Sequence, residues 1–156
     1  HGLFWMIVAA ILFIIPKTRK TGLGMAIAMM IGLLICNVTL KPLVGRIRPY
    51  DLQAELGITI QLLGERMHDF SFPSGHTIAS FEAAVVLLKN SKKMGIPAMI
   101  LAVLIAFSRL YLYVHYPTDV IVSVILGTLF ALIGDALAGL IAPKLGAGRK
   151  KGRFEA

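Results

Sequence analysis

Apolar residues gather into five blocks, residues 2 to 15, 22 to 44, 76 to 88, 96 to 114 and 117 to 142, with polar segments between them. Most of these blocks are near the ~20 residues that a helix needs to cross a bilayer. The pattern predicts an all-α integral membrane bundle of about five transmembrane helices, in a single membrane-embedded domain over 1–156. A long polar connection, about 45 to 73, lies outside the blocks.

Composition agrees with this reading. With 57% hydrophobic and 15% charged residues, the chain has too little polar surface to cover a water-soluble domain of its size. The first block is short for a span at ~1.5 Å per residue, and the chain opens on His1 rather than Met. It reads as a family fold shortened at its N-terminus. The block also has the length of a signal-peptide core, but neither a basic flank nor a small-residue cleavage site accompanies it.

The net charge of +8 is spread in short clusters between apolar blocks, without interleaved aromatics, which argues against nucleic-acid binding. Lys17, Arg19 and Lys20 follow the first block, Lys89, Lys92 and Lys93 the third, and Lys144, Arg149, Lys150, Lys151 and Arg153 the fifth. These eleven of the sixteen basic residues fall on one side of a five-span alternation, the side expected to be cytoplasmic. Lys41, Arg46, Arg48, Arg66 and Arg109 fall on the other, so the 45–73 loop is expected outside. Its Leu52, Leu56, Ile58, Ile60, Leu62 and Leu63 suit either a short interfacial helix or a packed loop. Cys36, the one cysteine, reads as a small core residue rather than a disulfide or metal ligand.

Three strings on the expected outer side carry chemistry. The second block ends in Lys41-Pro42-Leu43-Val44-Gly45-Arg46-Ile47-Arg48-Pro49, which crowds cations at one helix end and would alone read as snorkelling side chains. The third begins at Phe72-Pro73-Ser74-Gly75-His76, a turn that lets helix N–H groups approach an anion. The fourth ends in Ser108-Arg109-Leu110-Tyr111-Leu112-Tyr113-Val114-His115, and Pro117-Thr118-Asp119 opens the fifth. Pro117 starts a new helix and displaces Tyr116 from helical geometry, so His115 and Asp119 need not be one regular turn apart. Arg109, some two turns below the expected helix end, should face the interior toward an anion, either Glu82 or a bound phosphate. Together the strings describe a phosphate pocket.

These strings, K-x6-R-P from Lys41, P-S-G-H from Pro73 and S-R-x5-H-x3-D from Ser108, resemble the three signature motifs of the type-2 phosphatidic-acid phosphatase superfamily, with no departure at a signature position. The resemblance covers residues 41 to 119. It implies His115 as a nucleophile that forms a phosphohistidine, Asp119 as its orienting partner and His76 as general acid. It also implies Lys41, Arg48, Ser74, Gly75 and Arg109 as the phosphate cradle, with neither metal nor cofactor. Fixed cations around a phosphoryl group in flight, with a nucleophile and an acid at its apical positions, make chemical sense of that set.

The expected activity is hydrolysis of a membrane lipid phosphate monoester or diphosphate in a bacterial cell membrane, at an extracytoplasmic site. Undecaprenyl diphosphate, phosphatidylglycerol phosphate and phosphatidic acid are the candidates. The same motifs would serve a lipid phosphotransferase. A non-catalytic lipid carrier or scramblase would need no nucleophile, and the related vanadate-dependent haloperoxidases have soluble folds. His68 reads as a solvated loop residue, Asp135 as a contact near the inner helix end, and Glu82 as buried with an open role. Met25, Met29 and Met30 with Gly22, Gly24 and Gly32 read as helix packing.

Overall fold

A computed structural model describes residues 2–58, 61–63 and 66–144. His1, Ile60 and Glu65, and the basic residues Arg149, Lys150, Lys151 and Arg153, lie outside the described residues. The elements are α1 (Leu3–Ile14), α2 (Arg19–Gly32), a π-helical stretch (Leu33–Leu40), α3 (Lys41–Val44), α4 (Pro49–Glu55), α5 (Gly75–Asn90), α6 (Lys92–Tyr111) and α7 (Pro117–Ile141). Among the described residues there is no strand, as the block pattern requires.

The protein is a membrane protein. The helical run that begins at Arg19, α6 and α7 are each long and apolar enough to span a bilayer; α1, with 12 residues, and α5, with 16, are shorter. Large apolar side chains on the long helices face outward, among them Ile100, Leu104 and Phe107 of α6 and Ile121, Ile125 and Leu129 of α7. The interior holds small residues instead: Ala83, Ala84, Ala102, Ala131 and Ala138 are essentially inaccessible. This inversion suits lipid, where close backbone approach rather than expulsion of water drives helix association.

Helix α5 is the axis of the bundle, packed by α2, α6 and α7 and touched by α1. Surrounded on several sides, it needs no continuous lipid-facing stripe and can carry Thr77, Ser80 and Glu82 in buried positions. Ser80 accepts a hydrogen bond from the Trp5 indole of α1 at 3.1 Å. Glu82 lies against Gly32 of α2, where any Cβ would collide with its carboxylate, and its Oε1 has no hydrogen-bond partner among the described residues. Gly134 of α7 meets the α2 backbone at Gly24 and Ala28 with equally little room, which confirms the packing role expected of the α2 glycines.

Several boundaries differ from the block pattern. The second helix starts earlier, at Arg19, and loosens into the π-helical stretch before Lys41. Pro42 offers no N–H and its ring presses on the preceding turn, so a widened helix accommodates it. Helix α6 stops at Tyr111 rather than near 114, because Tyr113 takes left-handed geometry (φ 57°) ahead of Pro117. Arg109 is therefore in the last turn of α6, not two turns below its end. Among the described residues of the 45–73 connection only Pro49–Glu55 is helical, and Leu52, Leu56, Ile58 and Leu63 are exposed.

The end of the bundle away from these turns is tied by one carboxylate. Asp135 of α7, 6% exposed, accepts from Asn90 at 2.8 Å and pairs with Lys89 at 3.1 Å and Lys20 at 3.5 Å. Of the helix-end contact and solvation that the sequence allowed for Asp135, the structure shows the contact, a junction of α2, α5 and α7.

Candidate active site

At the opposite end, the turns between helices bring the three strings together. Gly45, with φ 58°, closes α3 in a left-handed turn that glycine adopts without strain. The extended segment that follows places Arg46 and Arg48 on the same side, two residues apart. Its carbonyl at Arg46 accepts the Ser71 N–H at 2.7 Å, which draws the returning loop alongside.

Asp119 is the fixed point. It sits in the first turn of α7, fully buried, and receives the Tyr116 N–H at 3.0 Å in a helix-capping arrangement. Its carboxylate also accepts from the Ser71 hydroxyl at 2.5 Å and from Arg46 Nη1 at 2.6 Å. His115 Nδ1 lies 3.6 Å from Asp119 Oδ2 and 3.5 Å from Ser71 Oγ. The imidazole is thereby held by one nitrogen, while Nε2 is directed toward Arg48 Nη1, 3.5 Å away. His115 is outside the helices yet almost inaccessible. Burial holds its pKa below the ordinary imidazole value, outweighing the upward pull of Asp119.

Arg48 is 1% exposed and fully engaged. It donates to the Val114 carbonyl at 2.7 Å, the Asp69 carbonyl at 2.8 Å and the Asp69 carboxylate at 2.5 Å. The other oxygen of that carboxylate pairs with Lys41. Partial burial opposes the charge of Asp69, but the bonds from Lys41 and Arg48 prevail and hold its carboxyl below the usual range.

Ser74 is the N-cap of α5 and Gly75 its first residue. The Ser74 N–H donates to Ser123 Oγ at 2.8 Å, and Ser123 donates to the Asp119 carbonyl at 2.6 Å, so the start of α5 is locked to the start of α7. His76, half-buried in the first turn of α5, is within electrostatic reach of Arg109, His115 and Lys41. Arg109 donates through Nε and Nη2 to its neighbour Ser108 Oγ, at 3.1 and 3.0 Å. It makes no ion pair among the described residues, so Glu82 is not its partner. His68 is an exposed loop residue.

Four participants were given no role in the site from the sequence: Arg46, Ser71, Asp69 and Ser123. Arg46 had a readable signal, since an R-x-R in an extended segment between Gly45 and Pro49 sends both side chains the same way. The other three lie outside the signature positions: the folded loop brings Ser71 to Asp119 and Asp69 to Arg48, and Ser123 lies one turn after Asp119 in α7.

A buried Asp-His pair, a histidine at a helix mouth and several cations thus gather at one end of a membrane helical bundle. The chain belongs to the PAP2 superfamily, whose pattern matches residues 19–138. It is 37% identical over 125 residues to the undecaprenyl-diphosphatase of Sulfolobus acidocaldarius, which covers 80% of this chain and 58% of that protein. To the lipid A 4'-phosphatase of Bacteroides thetaiotaomicron it is 32% identical over 161 residues, 92% of this chain and 72% of that one. The crystal structure of a transmembrane PAP2-type phosphatidylglycerolphosphate phosphatase from Bacillus subtilis superposes with a TM-score of 0.66 at 29% identity, over 96% of this chain and 70% of that one. The chain thus spans somewhat over half to about three-quarters of the length of these relatives.

Proposed function

We propose that this protein hydrolyses a lipid phosphate monoester or diphosphate at the extracytoplasmic face of the membrane, through a phosphohistidine on His115 and without a metal ion. The observation that carries this reading is the His115 ring. Nδ1 faces the buried carboxylate of Asp119 and Nε2 faces the Arg48 guanidinium. A histidine so held presents a lone pair where a phosphate bound to Arg48 would place its phosphorus.

In the first step the Nε2 lone pair forms the N–P bond as the P–O bond to the lipid breaks, and His76 gives its proton to the departing oxygen. Positive charge on the imidazole is met by Asp119, whose own charge is balanced by Arg46. In the second step water, losing its proton to His76, forms an O–P bond as the N–P bond to His115 breaks, which releases inorganic phosphate and restores the neutral imidazole. Lys41, Arg48 and Arg109 with the N–H groups at Gly75 neutralise the equatorial oxygens, a task that needs charge and position rather than covalent chemistry.

The relatives named above act on different lipids, and undecaprenyl diphosphate, phosphatidylglycerol phosphate and phosphatidic acid are the substrates proposed here. Phosphate release from such a panel in detergent with EDTA tests the reading. The expected result is a rate insensitive to EDTA that falls on the order of 10³-fold or more in His115→Ala. An EDTA-sensitive rate, or one that survives the substitution, would refute the mechanism.

A further inference from the structure

The cation pair proposed to hold phosphate is already bridged, by a residue that no signature motif includes. One carboxylate oxygen of Asp69 pairs with Lys41 and the other accepts from Arg48 at 2.5 Å. The partners differ sharply in exposure: the Arg48 side chain is 1% accessible and that of Lys41 12%, whereas that of Asp69 is 43% accessible. The carboxylate therefore reaches in from the solvent side and caps two cations that are otherwise enclosed.

We propose that Asp69 is an internal competitor for the phosphate position, closing Lys41 and Arg48 together until the phosphate of the substrate displaces it. This inference rests on the phosphate-binding reading of Lys41 and Arg48 given above. Two oxygens of a carboxylate, spaced much like two oxygens of a phosphate, satisfy the same donors in the same directions. The exchange needs no rearrangement of the loop. Arg48 is anchored independently by the main-chain carbonyls of Val114 and Asp69, so the Asp69 side chain can rotate outward while the guanidinium stays in place. Until then Asp69 neutralises two adjacent like charges that would repel each other in a poorly solvated site. Once displaced, its negative charge lies beside the entering phosphate and favours release of the inorganic phosphate product.

Competition and structural support predict opposite effects. If Asp69 merely oriented the cations, removing its charge would weaken anion binding; as a competitor, its removal strengthens binding. Titration calorimetry of inorganic phosphate into the full chain in detergent micelles, comparing wild type, Asp69→Asn, Asp69→Ser and Arg48→Gln, reads the difference. Two Asp69 variants keep the comparison from depending on how one of them folds. The expected result is wild-type binding that Arg48→Gln abolishes and the Asp69 variants tighten by about twofold to fivefold, the upper part of the range for a partly exposed ion pair. A matching fall in KM accompanies it. Wild-type binding that depends on Arg48 but is unchanged or weakened in both Asp69 variants overturns this inference and leaves the proposed function standing. Absence of Arg48-dependent phosphate binding in wild type overturns both.

Discussion

On the proposed mechanism, His115 and Asp119 set how the rate responds to pH. The attacking imidazole must be neutral, so activity is present above the pKa of His115 and lost as pH falls through it. Burial lowers that pKa and Asp119 raises it, with burial prevailing. The acid limb of kcat/KM, which reports the free enzyme, is therefore expected below the ordinary imidazole value of about 6.5. Asp119→Asn removes the upward influence, so its residual activity should show an acid limb shifted to still lower pH. A shift to higher pH would contradict the assignment of His115 as the group titrating there. His76 is separable by leaving group. General acid assistance is worth about 10²–10⁴-fold for an alkoxide, which is a poor leaving group, and little for p-nitrophenolate. Steady-state rates of His76→Ala should therefore fall far more on a lipid monoester than on p-nitrophenyl phosphate; an equal loss on both would assign His76 another role.

Among the elements, the π-helical stretch Leu33–Leu40 has the plainest consequence for the site. A π turn accommodates an extra residue, and everything after it is rotated by about 100° relative to an uninterrupted α-helix. Deleting Val38, which faces outward at 61% exposure, should let the stretch relax toward α geometry and carry Lys41 out of the cation pair. Circular dichroism is expected to show nearly unchanged helicity, while phosphate release falls at least about tenfold. Retained activity would mean that Lys41 does not depend on this register. The stretch was not legible in the sequence beyond Pro42, because widening of a helix leaves no change in apolar pattern. The long apolar helices were legible because long apolar blocks have few alternatives. The early stop of α6 was not, since the positive φ of Tyr113 is a tertiary choice rather than a tyrosine preference. The signature strings named His115, Asp119 and Arg48 as candidates, and the turns bring these three together; Ser71 escaped because it reaches Asp119 only through a folded loop, and Arg46 because its R-x-R signal went unread.

Across the whole molecule, the site and the Asp135 junction lie at opposite ends. Asp135 is eighteen residues after Pro117, about 27 Å along α7 at 1.5 Å per residue. Asp135→Ala leaves two lysines and Asn90 without their shared acceptor. Because both lysines are about half exposed, the loss is about 1–2 kcal/mol. For a chain of this size that corresponds to a fall of roughly 2–8 °C in Tm. Thermal unfolding in detergent should show this drop while kcat of the folded protein at low temperature stays within about twofold. A large loss of kcat would mean that the two ends are coupled.

The carboxylate of Asp119 draws its donors from separate stretches of chain: Arg46 after α3, Ser71 before α5, and His115 and the Tyr116 N–H between α6 and α7. No pair of helices can assemble that arrangement alone. On the proposed mechanism catalysis thus serves as a gauge of assembly, because a molecule with every helix formed but one connection out of place has its full circular-dichroism signal and an unaligned nucleophile. During gradual denaturation, turnover should disappear before helicity does.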